Sequence, residues 1–283
     1  MKVLFVIAIF ALVITVSGSW GGLMLYTLPI MSWAVLGIFA IQGLSFIPAF
    51  LCQTERYYDL IGSLTYISVV VLVLLGSGEV DLRQMLIALF ILIWAGRLGS
   101  FLFIRIAQDG SDSRFDKIKP SAPLFFRTWM LQGLWVTVTA GAALAALSSG
   151  RSVQLNIVDG VAIALWLSGF GIEVIADRQK RQFRQAHGSD AFITAGLWSL
   201  SRHPNYFGEI MLWSGVALLA LPVLDSWQYL TLISPVFVYL LLVRISGIPL
   251  LEKKSNRRWG VDPAYIAYRK NTPVLIPKLK KFR

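Results

Sequence analysis

The chain has 283 residues, of which 56% are hydrophobic and only 14% charged, and its net charge is +11. Soluble domains carry about 25% charged residues, so this composition excludes an ordinary soluble enzyme and points to an integral membrane protein. A single cysteine, Cys52, excludes an internal disulfide and any CxxC site, and two histidines, His187 and His203, are too few for a clustered-imidazole di-iron centre.

The opening run MKVLFVIAIFALVITVSGSWGG has the basic start of a secretory signal but no clean small-x-small cleavage site, and it reads as a membrane helix over 3–18. Further apolar stretches of roughly 20 residues, the length that crosses a bilayer, follow at 28–52, 59–76, 83–105, 126–148, 156–177, 205–222 and 228–246. The first and third stretches are short, so the pattern predicts an all-α polytopic membrane helical bundle with seven or eight transmembrane helices. No β signal, internal repeat or low-complexity tract competes with this reading. Ten tryptophans and nine tyrosines suit interfacial belts and also the walls of pockets for flat ligands.

Cations set the expected topology. Arg105, Arg114, Lys117, Lys119 and Arg127 mark the connector 105–127, and Arg178, Lys180, Arg181, Arg184 and Arg202 mark 178–204. The tail 251–283 is more basic still, whereas the connectors 77–82, 149–155 and 223–227 carry only Arg151. Lysine and arginine are retained in the cytoplasm. The basic segments and the C-terminus are therefore expected there, with the protein in a bacterial inner membrane.

Ionisable groups inside spans mark functional sites by default. Glu173 and Asp177 are four apart and share a helix face that continues through Lys180, Arg181 and Arg184. Arg97, Phe101 and Arg105 form a second stripe. Asp59 opens another span, and Asn205 and Glu209 lie one turn apart after Arg202, His203 and Pro204. Arginines at helix ends snorkel to the headgroups, but short carboxylates at an anionic leaflet gain nothing that way. Two readings stay open: ion pairs with Arg97 or Arg105 that hold the bundle, or a water-accessible cavity. A cavity of this make-up suits an anionic nucleotide, with phosphates on arginines and hydroxyls and amides on Asp, Glu and Asn. The GxG of SGFGIEV (168–174) falls within a helix and reads as close helix packing, not a strand–helix phosphate loop. Pro204 suits the first turn of a helix. His203 reads either as a cap on backbone groups or as a ligand contact.

At SRHPNYFGE (201–209) the chain resembles the C-terminal signature of the steroid 5-alpha-reductase superfamily, whose relatives include the sterol C14 and C7 reductases; a bacterial branch of membrane proteins carries nearly this string. GIEVIADRQKRQFR (171–184) and YIAYRKNTPVLIP (265–277) are similar to the family's preceding helix and C-terminal end. The resemblance covers about 155–280 well and 55–125 loosely. It implies an NADPH-binding cavity with contacts from Glu173, Asp177, Lys180 and Arg184 on one helix. Arg202, His203, Asn205, Tyr206 and Glu209 fall around the central motif, Arg97 and Arg105 are placed by register, and Tyr265 and Tyr268 lie in the closing tail. In that family a glutamate and a tyrosine polarise an enone carbonyl while hydride reaches the β carbon. Here Trp94 stands at the tyrosine's place and Asp59 near the glutamate's, with Tyr57, Tyr58 and Tyr66 as neighbouring phenols.

The resemblance divides the single membrane domain, 1–283, into N-terminal helices (1–52), substrate and catalytic helices with a basic loop (53–127) and a cofactor-binding region (155–283). The implied activity is NADPH-dependent reduction of a C=C bond in a steroid-like enone or related lipid. The expected partners are that lipophilic molecule and membrane lipid, with neither nucleic acid nor metal. A rival class shares part of the signature: isoprenylcysteine carboxyl methyltransferases carry an RHPxY string and a Tyr-x-x-Tyr…Thr-Pro end, and bind S-adenosylmethionine. Asn205 and the ADRQK helix favour the reductase. A third class is a non-catalytic lipid-binding protein, and the absence of an inverted repeat argues against transport.

Overall fold

The computed structural model describes residues 2–112, 114–188 and 190–278, and it is 75% helical, with strand confined to one tiny ribbon, so the all-α bundle is observed. The chain falls into two compact units, residues 1–158 with 216–234 and residues 159–215 with 235–283. The first cut lies close to the predicted start of the cofactor region at 155. Residues 216–234, expected inside that region, pack instead within the first unit.

The first unit is built from α1 (Lys2–Gly18), α2 (Ile30–Leu51), α3 (Tyr58–Gly76), α4 (Leu82–Asp109), α5 (Ala122–Thr139) and α6 (Gly141–Leu147). Between α1 and α2, strands Met24–Leu25 and Leu28–Pro29 pair antiparallel. Two residues per strand leave no alternation for a sequence reading to detect. α4 starts where Asp81 accepts from the Gln84 amide N–H at 2.8 Å while the Gln84 side chain accepts from the Asp81 N–H at 2.9 Å. This reciprocal box satisfies two otherwise orphaned donors. The helix stops at Gly110, whose φ of 81° favours glycine. A second box, Asp225 with Gln228, opens the 3₁₀ segment Ser226–Ile233, and Arg151 clamps both partners at 3.1 and 3.0 Å.

The apolar stretch 126–148 is not one straight helix. α5 and α6 meet at a 55° bend, and every residue of α6 is buried. Its run of alanines, which lacks long side chains, lets neighbours close around it. Deep in this unit the Gln42 amide donates to the Thr65 hydroxyl at 2.8 Å, joining α2 to α3.

The second unit holds most of α7 (Ile157–His187) and α8 (Pro204–Ala220), then α9 (Ser234–Leu240), α10 (Ile248–Trp259) and α11 (Pro263–Asn271). Pro204 occupies the first helical position of α8, as expected. α7 continues as helix to His187, well past the predicted 177, because helix and hydropathy need not end together. Leu241–Ile245 forms a π-turn after α9, with the Ser246 N–H reaching the Leu241 carbonyl at 2.9 Å.

Six helices or helix runs are long and apolar enough to cross a membrane, and a seventh follows if α5 and α6 form one broken span. α1 is apolar but has 17 residues, about 25 Å of helix, short of the roughly 30 Å hydrocarbon thickness. Outward faces carry Phe5, Leu44, Leu75 and Ile157, a pattern suited to lipid contact rather than to water.

Candidate functional site

The polar end of the second unit is organised by glycines. A Cβ at Gly208 would lie 2.5 Å from the Gly169 carbonyl oxygen and 2.8 Å from the Glu173 nitrogen, and one at Gly215 would lie 2.8 Å from the Ala162 carbonyl. Only glycine permits this backbone contact between α7 and α8. Gly169 thus packs as the sequence predicts, while Gly171 faces open space.

That contact sets Glu173 and Asp177, both buried, beside the start of α8, where the Asn205 amide donates to the Asp177 carboxylate at 3.3 Å. The loop before α8 is tied down on both sides. The Trp198 indole donates to the Ala176 carbonyl at 3.0 Å, and Lys180 lies 4.7 Å above its ring. The Tyr268 hydroxyl donates to the Trp198 carbonyl at 2.7 Å. The C-terminal segment runs alongside, the Arg202 N–H donating to Pro273 at 2.9 Å and the Ser201 hydroxyl to Leu275 at 2.7 Å.

Glu252, on α10, draws these pieces together. It accepts from Arg202 at 2.6 Å, meets His203 Nε2 at 3.0 Å and lies 3.5 Å from Arg269 Nε. Burial pushes the His203 imidazole below its ordinary pKa despite the carboxylate beside it. A carboxylate only accepts, so Nε2 carries the proton and donates to Glu252. His203 therefore bonds a carboxylate and does not cap backbone groups, and its ring stacks on Tyr206 with centroids 5.8 Å apart. Arg202 Nε is buried and has no hydrogen-bond partner among the described residues. Burial also raises the Tyr265 and Tyr268 phenols, which pack against Phe192. Arg184 is exposed at the end of α7, and Glu209 is half-buried one turn beyond Asn205.

In the first unit the remaining expected residues form two groups. Tyr66 and Trp94 are buried edge to face, 5.1 Å apart. Tyr58 and Asp59 begin α3. The Tyr58 hydroxyl donates to the Thr128 carbonyl at 2.9 Å, and its ring packs on Phe115 and Trp129. Asp59 pairs with Arg105 at 3.4 Å and lies 4.0 Å from Arg114. Arg97 lies 5.2 Å over the Phe101 ring, four residues on as the stripe predicts. Glu55, not singled out in the sequence, accepts from Lys119 at 2.7 Å and from the Asp112 N–H at 2.9 Å, straps the basic loop, and is held below the ordinary glutamate pKa by these partners in spite of burial.

Two apolar surface grooves of the first unit, about 450 Å³ beside Tyr26 and Leu75 and about 350 Å³ between Trp20 and Trp227, include none of the expected site residues. Among the described residues no group of three His, Cys, Asp or Glu is arranged to hold a metal ion.

Glu252 is the residue that sequence reasoning missed. Its one signal is that it is a lone carboxylate directly before the cationic run KKSNRR.

Residues 45–272 match the family of proteins of unknown function designated DUF1295, and the chain belongs to that family. The matched region contains every candidate site residue and leaves out α1 and the ribbon. The chain is also 25% identical over 235 residues to the Uncharacterized protein C594.04c of Schizosaccharomyces pombe, a match covering 72% of this chain and 66% of that protein, just under two thirds of its length. No solved structure matches.

Proposed function

We propose that the chain is a membrane-embedded reductase that binds NADPH at the polar end of α7 and α8 and reduces a carbon–carbon double bond of a lipophilic, steroid-like enone or related lipid. The observation that carries this reading is the Asp177–Asn205 pair, 3.3 Å apart, close in sequence to Arg202, whose buried Nε lacks an acceptor. A buried, unmatched guanidinium donor is expensive, and a phosphate oxygen is the acceptor that its charge favours. Lys180, Arg184 and Arg202 would hold the phosphates, and Asp177, Asn205 and Glu173 the hydroxyl and amide groups, so the residues present fit the nucleotide.

NADPH supplies hydride when bound; the protein's own task is to fix the nucleotide, keep water from it and deliver a proton. Glu252 holds Arg202 and His203 in position. Tyr66 is the phenol assigned to proton delivery, because the Tyr58 hydroxyl is already donated to Thr128 and Asp59 is ion-paired. An inner-membrane location with the basic segments and C-terminus in the cytoplasm completes the reading, supported by the charge asymmetry of the connectors.

The test is titration calorimetry and thermal shift of the detergent-purified chain with NADPH, NADH and S-adenosylmethionine. Stabilisation by NADPH alone is expected. Asn205→Ala and Asp177→Ala should each weaken NADPH binding about tenfold or more while the bundle stays folded. Stabilisation by S-adenosylmethionine alone assigns the site to the methyltransferase class, and wild-type NADPH affinity in both variants removes the site assignment.

A further inference from the structure

The last two helices carry a surface that the proposed reductase site does not use. Lys253, Lys254 and Arg257 line the outer face of α10 and Lys270 that of α11; all four are exposed, and none has a carboxylate partner among the described residues. Two neighbouring cations are committed elsewhere. Arg258 pairs with Asp190, and Arg269 bonds Asn256 and approaches Glu252.

Large aliphatic side chains are interleaved with these cations and point the same way. Leu250 precedes Lys254 by four residues and Ile266 precedes Lys270 by four, so each helix stacks an exposed aliphatic residue on an exposed lysine. Val261, in the turn between the helices, is 93% exposed, and Ile276 in the following segment is 70% exposed. The opposite faces are turned inward: Ile248 and Tyr265 are buried, and Glu252 grips Arg202.

Neither bulk phase accommodates such a surface. Water would leave the aliphatic groups exposed, and hydrocarbon would strand four unmatched cations. A bilayer interface accepts both, with aliphatic tips among the acyl ends and lysines at the phosphates. We propose that the outer face of α10 and α11 docks on acidic phospholipid headgroups of the adjoining leaflet. The choice of acidic lipid follows from charge: residues 248–278 contain seven cations, against Glu252 and Asp262 as the only carboxylates.

Native mass spectrometry of the detergent-purified full chain, incubated with equimolar phosphatidylglycerol and phosphatidylcholine, tests this. A cation near an acidic surface favours binding roughly fivefold, so wild type should retain phosphatidylglycerol at least about tenfold over phosphatidylcholine. A variant with Lys253→Gln, Lys254→Gln, Arg257→Gln and Lys270→Gln should bring the ratio near one at an unchanged melting temperature. High salt should erase the wild-type preference. A wild-type ratio near one, a quadruple variant that keeps the preference, or a preference that survives high salt overturns the proposal. None of the four residues contacts the Asp177–Asn205 pair, so failure here leaves the NADPH titration unaffected, and the reverse also holds.

Discussion

The two units handle their charged groups differently. In the first, carboxylates answer cations directly: Glu55 with Lys119, Asp59 with Arg105, Asp112 with Arg114. The Tyr58 hydroxyl is likewise committed to a backbone carbonyl. In the second, a buried carboxylate is met by a neutral amide, Asp177 by Asn205, and Arg202 keeps a buried donor beyond the bond it makes to Glu252. Ion pairs that close among themselves hold a loop in place. An arrangement that leaves donor capacity over is organised around something additional.

The largest test of this contrast is Glu252→Ala. It strips the carboxylate from Arg202 and His203 and should cost about 3 kcal/mol, the low end for a buried pair, because Glu252 is still 19% exposed. A melting temperature equal to wild type would show that Glu252 does not hold this end together. Gly208→Ala comes next, at about 1–3 kcal/mol, because its new methyl must push α7 from α8. Gly171→Ala, with nothing within 4 Å of the added carbon, is the matched control and should be neutral.

Glu55→Gln sharpens the comparison from the first unit and should cost about 1.5 kcal/mol at pH 7. The folded pKa of Glu55 is lowered, so its contribution is fully present above the unfolded value of about 4.3 and is lost as pH falls through the folded value. The gap in melting temperature between wild type and Glu55→Gln should therefore narrow as the solution is acidified below that point. A gap that grows on acidification contradicts the pairing. The smallest effect is expected of Tyr58→Phe: about 1 kcal/mol of stability and unchanged NADPH affinity. Should its turnover collapse at constant KM, Tyr58 rather than Tyr66 delivers the proton.

Span positions were legible because hydropathy reports where lipid contact occurs. The predicted 3–18, 59–76 and 205–222 fall within two residues of the observed helix ends. Local geometry inside a span was not legible, since a stretch as apolar as 126–148 reads the same straight or bent. The face shared by Glu173 and Asp177 followed from helical spacing, and Asn205 beside them from motif. The contact between Glu252 and Arg202 joins residues 50 apart in sequence, and no local periodicity encodes it.

The π-turn at Leu241–Ile245 carries one more residue than an α-helical turn would need. Excising a single residue there would let the chain relax into regular helix and swing everything downstream by about 100° around its axis. The carboxylate of Glu252 would then point away from the guanidinium it now grips, so the aim of the whole C-terminal arm depends on one surplus peptide unit.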